Sequence, residues 1–431
     1  MRTHRSFKTD SLLQSKKALL QWSRAYQSVI WLDSNSHRDT YSSFEACLAV
    51  GASQVLMGID ELQTFVDRQK DWVFGYFSYD FKNELEDLIS ENLDVLGFPM
   101  LQFYQPNKII MVDDGQLHFK YLNAFAHQIE ADYAEITNFR QMDFSNKQPS
   151  DPIKIKMRIH KDAYFEKANR FLEHIHRGDI YEANFCQEFY AEDISIDPWH
   201  THHKLNSISE PPFAVFARLR DMYLMCASPE RYIKKMGQKV ISQPIKGTAP
   251  RGKDEEDDQK IKKELSRDEK ERSENIMITD LVRNDLSKSA LKGSVQVEEL
   301  CKPYTFKQVH QLISTVVSKV PKDKNSIELI KETFPMGSMT GAPKISAMKI
   351  IEDLEETKRG LYSGAVGYFD PLGDFDFNVV IRSILYNATK KYISFSVGSA
   401  ITAKSDPEKE YEECLLKAKA MRTVLEERGW G

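Results

Sequence analysis

Apolar positions recur along this chain with two spacings. Phe165, Ala168, Leu172 and Ile175 fall at i, i+3, i+7 and i+10, one face of a helix, and Gly178 stands where a left-handed C-cap would end it. A second helical stripe, Tyr411, Cys414, Leu415, Ala418, Met421 and Leu425, follows Ser405-Asp406-Pro407, a cap candidate with proline in the first turn. Met348, Ile351 and Leu354 extend a third helix that Pro343 opens. Runs rich in β-branched and aromatic residues at 28–32, 72–77, 181–190, 239–243 and 378–385 predict strands. The charged stretch 254–270 predicts a solvated helical segment. Strands and helices are interspersed without βαβ regularity, which favours a large α+β architecture over a doubly wound sheet. The polar, Pro- and Ser-containing stretch at 143–156 reads as a linker between an N-terminal region, 1–142, and a second region, 157–431.

With 431 residues, 41% of them hydrophobic, the chain can bury a large core. A net charge of -5 argues against nucleic acid, whose partners carry a basic footprint. No apolar run approaches the ~18 residues a membrane span needs. The basic start, Met1 to Ser6, has no apolar region after it and does not read as a secretory signal. Five scattered cysteines without a CxxC pair fit a reducing cytoplasm and no disulfide framework.

Lys246 lies in Pro244-Ile245-Lys246-Gly247-Thr248, read as a tight turn after a strand, sixteen residues beyond Glu230. An amine and a carboxyl together can run an addition–elimination, one as nucleophile and one as proton donor, although a lysine before glycine is ordinarily a solvated turn residue. Glu271 and Glu274 lie one helical turn apart, as do Glu410 and Glu413. Two such pairs brought together would offer hard oxygen ligands; opposite an apolar stripe, glutamates are otherwise merely solvated. The loop 334–344, which carries Ser338 and Lys344, runs into a helix and could hold an anion at its free N–H groups, or be an ordinary junction. Arg382 sits in the strand-like run 378–385, where a guanidinium can pair with a ligand carboxylate or with a structural one. Tyr362 and the small-residue stretch 398–402 are further candidates for close approach to a ligand. His200, His202 and His203 lack supporting ligands at metal spacing and read as a polar loop. No cysteine sits in a Gly-x-Cys-x-Gly elbow, so a built-in cysteine glutaminase is not expected.

Taken in order, Gly178-Asp179-Ile180-Tyr181, Ser228-Pro229-Glu230, the Pro-Ile-x-Gly-Thr stretch, Glu274 with the following 280–286, Thr340-Gly341-Ala342-Pro343-Lys344, Tyr362 with Arg382, and Asp406-Pro407 leading to Glu413 resemble the chorismate-utilising enzymes. The N-terminal region resembles them more weakly, through 31–34 and 75–80. Lys246 in the variable slot, Glu182 where water-adding members place a lysine base, and Glu210-Pro211-Pro212-Phe213-Ala214 put the chain nearest the branch that aminates chorismate at C4. Anthranilate-forming and isochorismate-forming members, and an inactive ligand-binding paralogue, are the alternatives. Glu182 itself departs from the more usual Gln, and Gly398-Ser399-Ala400 is poorer in glycine than the family's triplet.

The resemblance implies two sheets packed as a sandwich with helices outside, both regions contributing. It also implies roles. Glu230 would protonate the leaving C4 oxygen and Lys246 would attack C2. His310 would steady the C4 oxygen. Gly247, Thr248, Ser338, Lys344, Tyr362, Arg382 and Gly398 would bind substrate. Mg²⁺ would sit on Glu274 and Glu413, with Glu271 and Glu410 nearby. Ammonia would come from a separate glutamine amidotransferase subunit. A nucleophilic Lys246 must be neutral, so burial or the metal's charge is expected to lower its pKa from ~10.4.

Overall fold

The structure, a computed structural model, describes residues 1–139 and 152–426. Its strands pair antiparallel throughout and form two arms that meet at Leu101–Asp113, a strand long enough to pair with Ala46–Leu56 along most of its length and with Val73–Phe77 at its start. One arm runs from Arg2–Lys8 through Gln116–Leu122, Leu101–Asp113, Ala46–Leu56, Ser28–Asp33, Phe213–Leu219, Met222–Ser228, Ser383–Asn387 and Tyr392–Thr402 to Glu182–Ala191. The other runs from Val73–Phe77 through Ala365–Phe369, Phe375–Val379, Arg231–Met236 and Lys239–Gln243 to Val309–Lys319, which also carries Ile245–Pro250 and Gln296–Thr305.

Side-chain alternation shows why the arms stack. Cys47 and Ala49 enter the core shared with Phe77, Ile233, Phe375 and Phe377 of the second arm. Their neighbours Ala46, Leu48 and Val50 enter a second core under the helices, among them Lys161–Arg177, Lys344–Leu354 and Pro407–Glu426. A strand with period 2 and both faces covered needs apolar residues at every position, which is how 46–50 reads. The two-sheet α+β architecture is therefore present. Strands on both sides of 140–151 share it: Ser28–Asp33 pairs with Phe213–Leu219, and Val73–Phe77 with Ala365–Phe369. Most of the expected 143–156 linker lies outside the described residues, and Lys156 already pairs with Tyr190.

The helix predicted to end at Gly178 spans Lys161–Arg177, with Gly178 at φ 87° closing it through the His174 and Ile175 carbonyls. Three expectations change. The 200–203 histidines lie on a helix, Pro198–Ser209, capped by Asp197, with His202 packed on Phe216. The 254–270 segment is helical but not wholly solvated, because Asp258 is buried. The run 378–385 is not one strand: Phe375–Val379 stops, Arg382 adopts φ 52°, and Ser383–Asn387 resumes.

Candidate active site

Lys246 is held in a strand rather than a tight turn. Ile245–Pro250 pairs with Val309–Lys319 at Ile245↔Ile313 and again at Thr248↔Gln311, and the bulge between carries Lys246 and Gly247. Gly247 has φ 99°, and a Cβ there would stand 3.1 Å from Leu312 and 3.3 Å from Glu271 Oε2, so only glycine fits easily. Helix Glu269–Ser287 packs over this strand, and Asn275 Nδ2 donates to the Lys246 carbonyl at 2.9 Å. Lys246 Nζ lies 3.6 Å from Glu274 Oε2.

Helix Pro407–Glu426 brings the second glutamate pair beside the first. Lys270 Nζ stands 3.7 Å from Glu274 and 3.9 Å from Glu410, bridging the two helices. Glu413 pairs with Lys417 at 2.6 Å. Glu410 is buried, bonded to the hydroxyls of Ser399 and Ser405. Glu182 is 2% exposed, and its Oε2 has no partner. Burial pushes Glu182 up to about 7, with Glu274 adding to the rise and Lys246 opposing it.

Burial alone does not hold Lys246 below its ordinary pKa. Burial works against its charge, but the carboxylates of Glu182, Glu274, Glu413 and Glu410 outweigh burial and raise it. Burial and the repulsion of Glu274 raise Glu271; burial also raises Glu410, with Glu413 adding repulsion. Carboxylates crowded beyond the positive charge at hand, all of them hard oxygen donors, suit Mg²⁺. Among the described residues, no three His, Cys, Asp or Glu side chains already converge on one point; the lysines stand between them.

Glu230 follows strand Met222–Ser228 and is 4% exposed. Ser338 Oγ donates to its Oε1 at 2.6 Å, so this hydroxyl, read from the sequence as a substrate contact, serves the carboxyl. Burial pushes Glu230 up to about 7 against the Ser338 hydroxyl, the Ile245 N–H and Lys246, all of which pull it down. The acid and the lysine are therefore neighbours: one accepts from residue 245 and feels the charge of 246.

Arg382 makes no ion pair among the described residues, and burial works against its charge, opposed by Tyr362 and Glu413. Arg382 is half-buried, and a guanidinium with no carboxylate partner can take an anionic ligand. Tyr362 is buried, its hydroxyl 3.7 Å from Cys186 Sγ. Gly398 permits close packing, since a Cβ there would lie 2.6 Å from Cys186 Sγ, and its carbonyl accepts from Lys417. Thr248 is exposed beside Gln311.

Two residues are used elsewhere. Lys344 donates to Asp285 Oδ2 at 2.5 Å and to the carbonyls of Thr333 and Pro335. An ammonium has three donors, so none is left for a ligand. Lys344→Met is expected to cost about 3–5 kcal/mol, because it leaves buried Asp285 with only the half-exposed Lys288 at 3.2 Å and removes the donor to two carbonyls. A urea midpoint shift worth less than about 1 kcal/mol would contradict that. His310 is fully buried with both ring nitrogens engaged, by Thr305 Oγ1 at 3.1 Å and Asp258 Oδ1 at 3.0 Å. Arg251 and the Gly252 N–H hold the Asp258 carboxyl well below the usual range. The next residue, Gln311, was not singled out from the sequence. It lines a small cavity with Arg382 and Pro229, and its amide oxygen is buried without a partner.

A larger cavity of about 380 Å³ lies elsewhere, lined by Ser34, Phe213, Arg231, Tyr368 and Asp376 among others. Arg231 there is already engaged by Asp39 and Asp376. Neither Lys246 nor the carboxylate pairs line this cavity.

The family described as chorismate binding enzyme matches residues 12–423. Aminodeoxychorismate synthase component 1 of Escherichia coli (strain K12) is 38% identical over 266 residues, 62% of this chain and 58% of that protein. Anthranilate synthase component 1 of Thermus thermophilus is 34% identical over 363 residues, 82% of this chain and 77% of that protein. Among solved structures, the menaquinone-specific isochorismate synthase of Escherichia coli has the same fold, with a TM-score of 0.78 at 16% identity, covering 99% of this chain and 94% of that one. A match that spans both arms of the sheet and every candidate site residue named above places this chain in the chorismate binding enzyme family, as an enzyme that acts on chorismate.

Proposed function

We propose that this enzyme is an aminodeoxychorismate synthase component I: it aminates chorismate at C4 to 4-amino-4-deoxychorismate, with ammonia supplied by a glutamine amidotransferase subunit. The observation that carries the reading is that buried Glu230 accepts from the Ile245 N–H, beside Lys246, so that an acid and an amine stand on adjoining segments. An amine positioned to add is what distinguishes amination through a covalent adduct from addition of water. The absence of a cysteine elbow in the sequence supports a separate source of ammonia.

In this reading Glu230, protonated near neutral pH, gives its proton to the C4 oxygen, which leaves as water. Lys246 Nζ, as the neutral amine, adds to C2. The ring π electrons shift toward C4 as the C4–O bond breaks, and the adduct nitrogen keeps its extra proton as a secondary ammonium, able to leave later as the neutral amine. Ammonia then forms the C4–N bond, the electrons shift back, and the C2–N bond breaks to release the lysine. Arg382 binds the enolpyruvyl carboxylate, with Tyr362 and the backbone at Gly398 beside it. Glu274 and Glu413, with Glu271 and Glu410 nearby, would hold Mg²⁺, which would supply positive charge for the ring carboxylate and against the carboxylates that keep Lys246 protonated.

Purified enzyme given chorismate, Mg²⁺ and ammonium is expected to release 4-amino-4-deoxychorismate, identified by mass spectrometry. Anthranilate with pyruvate, or isochorismate carrying a water-derived oxygen at C2, would assign it to one of the sister reactions instead. No helix among the described residues is long and apolar enough to cross a membrane.

A further inference from the structure

Glu355 and Arg359 form an enclosed ion pair, with side chains 5% and 3% exposed, and no step of the reaction uses either. Glu355 closes helix Lys344–Leu354. Arg359 Nε and Nη2 donate to its two oxygens at 2.9 and 2.7 Å, a bidentate pair. The remaining N–H groups reach outward. Nη1 donates to the Met339 carbonyl at 2.6 Å and to Ser363 Oγ at 3.5 Å, and Nη2 donates to the Asn184 carbonyl at 2.7 Å. Glu355 Oε1 accepts the Cys186 N–H at 2.8 Å. The guanidinium lies 4.5 Å over the Tyr79 ring, and Tyr79 and Asp80 bond the Gly360 backbone. All five guanidinium donors are thus engaged, and they tie three segments together. One holds Ser338 beside Met339. One is the strand with Glu182 and Cys186. One is the turn from Arg359 to Tyr362.

We propose that the Glu355–Arg359 pair is a positioning element of the reaction: by fixing the Met339 carbonyl against Asn184, it aims the Ser338 hydroxyl at Glu230 and keeps Tyr362 in place. Stability alone does not ask for an ion pair here, since apolar side chains of equal volume would serve as well or better. What the fork adds is direction, because its planar donors hold two carbonyls and a carboxylate at fixed angles. Tyr79 and Asp80 extend the arrangement to the N-terminal region, so that region helps set the geometry of the acid.

The inference rests on the reading of Glu230 as the proton donor. The groups around that carboxyl are the Ser338 hydroxyl, the Ile245 N–H and Lys246, with Tyr232 and Asp285 lining the same small cavity. Of these, only Ser338 is reached through Met339. Arg359→Lys keeps the charge but loses the fork. It is expected to lower kcat about 10- to 100-fold with KM for chorismate changed less than about 3-fold, as misplacement by about 1 Å does. The alkaline limb of the kcat–pH profile is expected to move up, because Glu230 loses a hydrogen bond that favours its ionised form. Ser338→Ala should give the same displacement, and the Arg359→Lys/Ser338→Ala double variant no more than either alone. An unmoved limb in folded Arg359→Lys, or displacements that add in the double variant, would overturn the proposal. If Arg359→Lys does not fold, Glu355→Gln is measured in its place with the same two outcomes. Glu230→Gln separates the two readings: a limb that persists in it defeats the assignment of the acid, whatever Arg359 does.

Discussion

Glu230→Gln is expected to lower kcat for chorismate by about 10² to 10⁴, the usual contribution of a positioned general acid. Gln matches Glu in size and can still accept from Ser338, so the cavity stays filled and the fold should hold. What is lost is the proton. Burial places this carboxyl at about 7, and a donor must be protonated, so wild-type kcat should be highest on the acid side and fall as pH rises through about 7. In Glu230→Gln that fall should vanish, and any pH dependence left in the low rate is that of Lys246. The same raised pKa has a consequence for folding. The native state keeps a proton that the unfolded chain releases near 4.5, so this carboxyl contributes stability below that value. The contribution is lost as pH rises from there through about 7. Stopped assays of kcat from pH 5.5 to 9 test the first claim, and a variant with more than a third of wild-type turnover would remove Glu230 from the reaction. Urea unfolding of both proteins at pH 5 and 8 tests the second. Wild-type stability should fall more than that of Glu230→Gln.

The parts of this molecule legible from its residues are those where a local pattern fixes the answer. Helix Lys161–Arg177 needed only its apolar period and Gly178, whose missing Cβ permits φ 87°. The two glutamate pairs needed only helical spacing, but their convergence from two helices distant in the chain is a tertiary fact carried by no local pattern. The residues read differently in the structure share a cause, which is side-chain direction. His310 and Gln311 are adjacent on one strand, so they face opposite ways. The histidine meets Asp258 while the glutamine meets the Arg382 cavity. A basic residue at a helix start suggested an anion site, yet Lys344 turns back to Asp285 and two carbonyls. The ionisation of Lys246 could not be read from the pentapeptide, because it is set by Glu182, Glu274, Glu410 and Glu413, brought from three other elements.

Lys246→Ala is expected to abolish any lysine-linked C2 adduct and to lower amination by about 10⁴ to 10⁶, the range seen when one member of a cooperating set is removed. Truncation also takes a cation from beside Glu274 and Glu182, so a lower rate alone would not separate nucleophile from charge. Lys246→Arg separates them. Arginine keeps the positive charge near the carboxylates, but its guanidinium stays protonated and does not add to carbon. If Lys246 acts through its lone pair, Arg should be as slow as Ala, and intact-mass spectra after acid quench should show an adduct in the wild type alone. If Lys246 acts only as a charge, Arg should recover most of the rate. An adduct that persists in Lys246→Ala would place the nucleophile on another residue. A variant that loses the adduct yet keeps amination at a third of the wild-type rate or more would mean that ammonia attacks C4 directly, and the carboxylates around residue 246 would then serve the metal and the substrate alone.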